Sequence, residues 1–556
     1  MNRSRHLSEG PVVPIGFYGS PRPMGWWRVA QTVGAGLDDR ERLERLDLPL
    51  YLIDGGGDRL EIHDPGSGEP ADGPQNGLPM VGYVPPVLPQ DLGDAGFCRD
   101  HGLHYAYLSG AMANGIGSVE IVEAMGRAGM LGFFGAAGLD PRVIESAVDR
   151  IQQNLAGRAY GVNLIHAPQE PLWEKAVADL LIRKGVPLVE ASAYLGLTLP
   201  VVRYRVHGIH EDAEGRIVTP HRIIAKVSRV EVAAKFLAPP PESFLNQLVA
   251  EGFISQEQAR LARRIPMAQD ITAEADSGGH TDNRPAITLL PTMTALRDAV
   301  EAEYAYQVPL RVGLAGGIAT PASATAAFAM GAAFVLVGSV HQSCLEAGTS
   351  PMVRAMLAEA KQADIAMAPA ADMFEMGVNL QVLKRGTMFA MRAAKLYDYY
   401  RKYPGLEAIP PLERGQLEKT IFRTSLEEIW EQTRRFFADR DPAQISRAEQ
   451  DPKHRMALVF RWYLGKSSSW ANSGDKDRKI DYQVWCGPSM GAFNQWVKGS
   501  FLEDPQNRRV VAVARNILYG AALQRRINFL TSQGVYLENK QISPKTPTQL
   551  RSYFIE

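Results

Sequence analysis

From Tyr105 to about Ser343 the chain repeats one rhythm: a short apolar run, a Gly-rich or polar loop, then apolar residues at helical spacing. The apolar runs are Tyr105–Gly110, Leu131–Ala136, Tyr160–His166, Pro187–Ser192, Arg222–Ser228, Asp270–Asp276, Leu310–Gly316 and Phe334–Gly338. They are nearly continuous rather than alternating, as parallel strands covered on both faces require. Helical patterns at Val119–Arg127, Pro141–Asn154 and Pro321–Met330 stand between them. Eight such units predict an α/β fold, a (β/α)8 TIM barrel; an open doubly wound sheet has similar periodicity. The count leaves out Val201–Gly208, assigned to an excursion between the fourth and fifth units.

Three regions break the rhythm. Gly55–Gly77 is rich in Gly, Pro and Asp and reads as a loop or linker. Pro239-Pro240-Pro241 leads into Glu242–Arg264, one or two helices inserted between the fifth and sixth strands, placed either as a lid or as a decorative bundle. The chain is helical from about Met391. There Ser425-Leu426-Glu427-Glu428 forms a capping box before Leu426, Ile429, Trp430, Thr433 and Phe437, and Val510, Val513, Ile517, Ala521 and Leu530 mark a second long helix. These stripes are packing faces, with a partner or a second copy in a homodimer as the other occupant. The division expected is an N-terminal extension (1–85), a barrel (86–400) with a helical insertion at about 239–266, and a C-terminal helical region (401–556).

Composition narrows the class. Hydrophobic residues at 45% and charged residues at 22% match an ordinary globular protein, and 556 residues exceed what one core organises. Lys and Arg (60) balance Asp and Glu (61), so no global field favours nucleic acid or an acidic membrane. Cys98, Cys344 and Cys486 lie far apart with no CxxC pair, which disfavours a disulfide framework and fits a reducing, cytoplasmic setting. Met1–Gly16 carries no apolar core of a signal peptide, and no apolar stretch reaches about 18 residues, so no membrane span is expected.

The chemistry gathers at strand ends. The seventh run ends in Gly316-Gly317, with Thr320-Pro321 opening a helix, and the eighth ends in Gly338-Ser339. Glycines at two successive strand ends let backbone N–H groups approach a dianion, and barrels recurrently bind phosphate there. After the first strand, Ala111, Met112, Ala113 and Asn114 form a small-residue loop with room for a flat ring. Asn163 and Lys226 sit near the ends of the third and fifth strands, where an amide can bond ring carbonyl or imide groups and an ammonium can meet developing negative charge.

The sixth strand carries the sharpest signal, Glu274-Ala275-Asp276-Ser277-Gly278-Gly279-His280. Its paired glycines bring main chain close to a ligand, and His280 can move a proton near neutral pH, unless it is a loop histidine bonded to Asp276 or Asp282. Gly487-Pro488-Ser489-Met490-Gly491 matches a nucleophile elbow, yet the last histidine is His454, before the serine, and its surroundings are helical. His101/His104 and His207/His210 pair at i, i+3 without an apt third ligand, so no metal site is expected.

These motifs are similar to those of a known family. Ala111–Ser118 (AMANGIGS), Ser277–Arg284 (SGGHTDNR), Gly313–Ile318 (GLAGGI) and Val337–Ser339 (VGS) resemble the nitronate monooxygenase and bacterial flavin enoyl reductase superfamily, over about Asn76 to Arg401. Phe17–Trp27, Met373–Phe389 and Cys486–Asn494 resemble the narrower PfaD-type enoyl reductases of polyunsaturated fatty acid and polyketide synthases. The resemblance implies an FMN barrel, reduction by NADPH or NADH, and hydride transfer to an enoyl thioester on acyl carrier protein. It implies that Glu274, Gly278 and Gly279 join the other strand-end residues around the cofactor, with His280 as the catalytic residue. Nitronate monooxygenases often continue Gly-Gly-His with Arg-Gly. Here Thr281-Asp282-Asn283-Arg284 follows, which favours the reductase branch. A carrier's acidic helix is expected to dock near Arg434-Arg435 or Arg525-Arg526.

Overall fold

The computed structural model describes residues 23–30, 38–56, 60–168, 170–535, 537 and 541–555. Met1–Gly16 and most of the Phe17–Trp27 run lie outside the described residues. Two compact units emerge, one of Gly93–Ala319 with Ala327–Val513, the other of Met1–Leu92 with Thr320–Ala326 and Ala514–Glu556.

The larger unit contains a closed barrel of eight parallel strands, each at one of the predicted apolar runs. In chain order these are β1 (Tyr107–Ser109), β2 (Leu131–Phe134), β3 (Gly161–Ile165), β4 (Leu188–Ser192), β5 (Arg222–Val227), β6 (Asp270–Glu274), β7 (Arg311–Ala315) and β8 (Val335–Val337). Val335 pairs with Tyr107, so β8 closes on β1 and the open-sheet alternative falls. Large rings fill the barrel because small residues face them: a Cβ on Gly313 would lie 2.3 Å from the Phe334 ring, and one on Gly161 2.3 Å from Phe133. Phe97, from helix Ala95–His101, stacks on Phe334 at 4.4 Å and joins this core. At the amino ends of β6 and β7, Arg311 holds Asp270 and Asp100, and His101 Nε2 lies 2.8 Å from Asp270. That charged cluster occupies the histidine considered as a metal ligand.

Several expectations change. Val201–Gly208 is no excursion. Leu199–Val206 is a helix capped by Thr198, so this segment supplies the helix of the fourth unit. The insertion is two helices, Glu242–Ala250 and Gln256–Ala262, reached after the helix that follows β5 and leading into the start of β6. It therefore lies toward the amino ends of the strands, away from a lid's position. Gly55–Gly77 holds two strands, Leu60–His63 and Gly68–Ala71. They belong to the smaller unit's five-stranded antiparallel sheet, ordered Leu60–His63, Leu50–Asp54, Leu78–Val84, Gly25–Val29, Gly68–Ala71. Gly68 is there for contact rather than for turning, since a Cβ would sit 2.4 Å from Trp27 Nε1.

Beyond β8 stands a sheet that the hydrophobic pattern did not announce. Ile365–Pro369 pairs antiparallel with Asn379–Leu383, which pairs in turn with Gly279–His280. Helices Phe389–Lys402, Leu426–Arg440 and Pro452–Ser473 then pack a core around Phe374, Phe389, Phe422, Ile429, Phe460 and Tyr463. Ser425 caps the second of these, as its sequence indicated, and Val510–Ser532 is one continuous helix. Among the described residues, no helix is long and apolar enough to cross a membrane.

Candidate active site

The carboxyl ends of the strands open on a cavity of about 1040 Å³. Each residue nominated from the sequence lines it. Ala111, Met112, Ala113 and Asn114 follow β1, Asn163 comes from β3, and Lys226 from β5. Glu274 ends β6, with Gly278 and the short strand Gly279–His280 beyond it; Gly316 and Gly317 follow β7, and Gly338 and Ser339 follow β8.

The glycines divide by role. Gly316 (φ +84°) packs against the β6 loop, where a Cβ would lie 2.6 Å from Ala275 O. Gly278 is pressed against the backbone of Cys486 and Gly487, 2.8 Å from a Cβ placed on it. Gly317 (φ +79°) and Gly338 instead face open space: apart from their chain neighbours, no atom of the described residues lies within 4 Å of where a Cβ would stand. Ser339 Oγ accepts from Gly487 N at 3.1 Å, so its own hydrogen is left to donate. Two bare backbone positions beside a hydroxyl make a cradle of the size and polarity a phosphate monoester needs.

Deeper in, Lys226 Nζ lies 3.2 Å from Glu274 Oε1. Burial would lower the ammonium's pKa, but Glu274 and Glu190 together raise it above the usual lysine value. Glu190, on β4 and fully buried, went unnoticed in the sequence. Its Oε2 accepts from Ala111 N at 3.0 Å, while Oε1 has no hydrogen-bond partner among the described residues. Burial pushes this carboxyl's pKa up against the pull of Lys226. Asn163 spends its Nδ2 on Glu190 O and Ser192 Oγ, each at 3.1 Å, leaving Oδ1 as an acceptor. Of the two ring contacts expected of this amide, only the one with an N–H donor suits that orientation.

His280 is bonded to neither Asp276 nor Asp282. Its Nε2 lies 3.0 Å from Asp372 Oδ1, a partner 92 residues away. Burial lowers the imidazole's pKa, but Asp372 and then Glu274 outweigh it and raise it above the usual histidine value. The backbone pairing of His280 with Leu380 fixes this geometry. Asp276 instead accepts from Asn283 and Gln381. Asp282 is taken by Arg229 and Ser228, chiefly by the bond to Arg229, and its pKa falls to about 2.

The outer cavity is lined by the helical region: Phe436, Phe437 and Arg440 from Leu426–Arg440, and Leu458, Arg461 and Trp462 from Pro452–Ser473. Asn114 Nδ2 donates to Ser468 Oγ at 3.0 Å and ties the β1 loop to that helix. Ser489 also faces the cavity, but it opens a nine-residue helix after an isolated antiparallel bridge at Trp485. The strand–turn–helix of a nucleophile elbow is not formed. Of the basic pairs proposed for docking, Arg434 and Arg435 are exposed. Arg526 is fully buried, donates to Arg45 O, and has its pKa lowered to about 10 by burial, so the Arg525-Arg526 pair is no surface patch.

Comparison with known proteins bears on this arrangement. A family profile described as nitronate monooxygenase matches residues 102–402, more than half of the chain. The chain belongs to the nitronate monooxygenase family. A second profile, the inserted helical domain of [acyl-carrier-protein] S-malonyltransferase, matches residues 403–482. Within the family, the chain is 48% identical over 495 residues to a component of the polyunsaturated fatty acid synthase of Thraustochytrium sp., covering 88% of this chain and 32% of that protein. It is 46% identical to polyketide biosynthesis protein PksE of Bacillus subtilis, covering 79% of this chain and 57% of that protein. The chain thus spans a third and just over half of the length of these two relatives. The crystal structure of the enoyl reductase domain of MlnA, from the macrolactin biosynthesis cluster of Bacillus amyloliquefaciens, superposes with a TM-score of 0.75 at 42% identity. The match covers 79% of this chain and 99% of that one.

Proposed function

We propose that this chain is an FMN-dependent enoyl reductase, using NADPH or NADH to reduce the C=C bond of an enoyl thioester on acyl carrier protein for a polyketide or polyunsaturated fatty acid synthase. The observation that carries the reading is the meeting, in one cavity, of a bare glycine cradle, a partly buried ammonium and a carboxylate-held imidazole. Similarity to an enoyl reductase domain and to synthase proteins supports it. So does the helical match to a domain from an enzyme that acts on acyl carrier protein.

The residues present fit a flavin mononucleotide. Gly317, Gly338 and Ser339 would hold its phosphate, Asn163 Oδ1 would accept from the ring's imide N–H, and Lys226 would place a cation at the pyrimidine edge. Bound flavin supplies two-electron chemistry, taking hydride from a nicotinamide and giving hydride to an enoyl β-carbon. Gly338→Ala should weaken flavin binding at least about tenfold, with little change in the thermal midpoint of flavin-free protein; fluorescence titration with FMN checks this.

His280 uses Nε2 to hold Asp372, so Nδ1 is the nitrogen left to meet substrate. From there the imidazolium donates a proton toward the α-carbon, or bonds the thioester carbonyl as enolate charge builds. Because the pKa is raised, the protonated form is kept to higher pH than in a free imidazole, and activity is expected to fall as pH passes through the raised value. Asp372→Asn removes the raising charge and leaves burial to lower the pKa. The alkaline fall in kcat should then move to lower pH than in the parent, which a pH–rate profile measures.

The reading is tested by NADPH consumption with crotonyl–acyl carrier protein. Turnover to the butyryl product is expected. Oxygen uptake with an alkyl nitronate, without need of nicotinamide, would instead mark the oxidase chemistry of the family's name.

A further inference from the structure

A second carboxylate-held imidazole stands in the same cavity. His166 follows β3, and its Nδ1 lies 3.0 Å from Glu174 Oε2. Glu174, on helix Pro171–Arg183, is 2% exposed and takes two further donors, Tyr194 OH at 3.1 Å and the Thr198 hydroxyl. Tyr194 also stacks on the imidazole, with ring centroids 5.3 Å apart and planes 21° apart, and closes edge-on against Phe236. A buried carboxylate with three donors, serving to fix one ring at a cavity wall, is more than packing requires.

The tautomer follows from the partner. A carboxylate only accepts, so the nitrogen facing it carries the hydrogen, and with Nδ1 as that N–H it is Nε2 that can present a lone pair. That nitrogen has no hydrogen-bond partner among the described residues, although His166 lines the cavity. His166 is partly exposed, so this acceptor opens into the cavity beside Leu139, Trp173 and Tyr194, where it can take an N–H from something bound there in place of solvent.

We propose that His166 is a second ligand-contacting residue, whose Nε2 accepts an amide N–H of a bound reactant, with Glu174 as its positioning residue. This rests on the reading of the cavity as a reductase site. An amide N–H reaches such a site from two sources: the carboxamide of the nicotinamide, or the pantetheine arm carrying the enoyl group.

The two halves of the reaction separate these sources. Flavin-loaded His166→Ala is mixed anaerobically with NADPH. In parallel, the reduced protein is mixed with crotonyl-pantetheine or with crotonyl S-ethyl thioester, which has no amide. If nicotinamide is the donor, half-saturation by NADPH rises about tenfold while the limiting rate of flavin reduction holds. If pantetheine is the donor, the parent's preference for the pantetheine thioester is lost. His166→Gln, which keeps an acceptor oxygen near the place of Nε2, should recover most of either effect. Glu174→Gln should raise the same half-saturation with its limiting rate kept. Loaded His166→Ala that matches the parent in both halves overturns the proposal. A parent protein whose flavin NADPH does not reduce would instead overturn the reductase reading itself.

Discussion

His280→Ala is expected to keep its flavin and to lose turnover by about 10²–10⁴, the usual worth of a positioned general acid. Retention is expected because the cradle at β7 and β8 and the cation at β5 do not involve this ring, which contacts Asp372 instead. The loss should fall on the oxidative half, since hydride transfer from nicotinamide to flavin needs no proton from His280. Rapid-mixing absorbance of the reduced variant against crotonyl–acyl carrier protein measures it directly. Parental reoxidation by that substrate would remove His280 from the chemistry, and loss of flavin would make it a binding residue.

Lys226→Met is expected to lower stability by roughly 1–3 kcal/mol at neutral pH, less than the loss from a fully buried ion pair because Lys226 and Glu274 are each only partly buried. Glu190 has no exposure, and without the ammonium its charge and that of Glu274 repel with nothing between them. The sign with pH follows. Lys226 offsets the burial that pushes the Glu190 pKa up, so the deficit against the parent is largest where the Glu190 carboxyl would be ionised and shrinks as pH falls and it protonates. Adding Glu190→Gln removes one of the stranded charges while leaving an oxygen for Ala111 N, and should restore part of the loss. Denaturation curves for the parent and the single and double variants at two pH values give both results. A single variant as stable as the parent at neutral pH would show that the triad carries no net attraction.

The barrel was legible because each strand is buried on both faces and so reads as a continuous apolar run; Leu131–Phe134 has no exposed position. The strand-end residues were legible because topology alone brings the ends of eight parallel strands to one rim. Asp372 was not. Its contact with His280 depends on pairing Gly279–His280 with Leu380–Gln381, a long-range register that no local pattern announces. Glu190 left a signal that went unread: an acid inside the apolar run Pro187–Ser192 requires a buried partner, and Lys226 on the next strand was already suspected. His166 shows in the sequence only as the end of a strand. Gly68 and Arg526 misled in opposite ways, because glycine suits close packing as well as turns and a basic pair on a helix turns one member inward.

Whether the rim cavity holds a redox-active flavin decides the proposed function. The direct measurement is the visible absorption spectrum of the purified protein supplied with FMN, recorded anaerobically before and after NADPH and again after an enoyl thioester. The expected result is a bound yellow chromophore that bleaches with NADPH and recovers its colour with the thioester. Folded protein that stays colourless in excess FMN would contradict it.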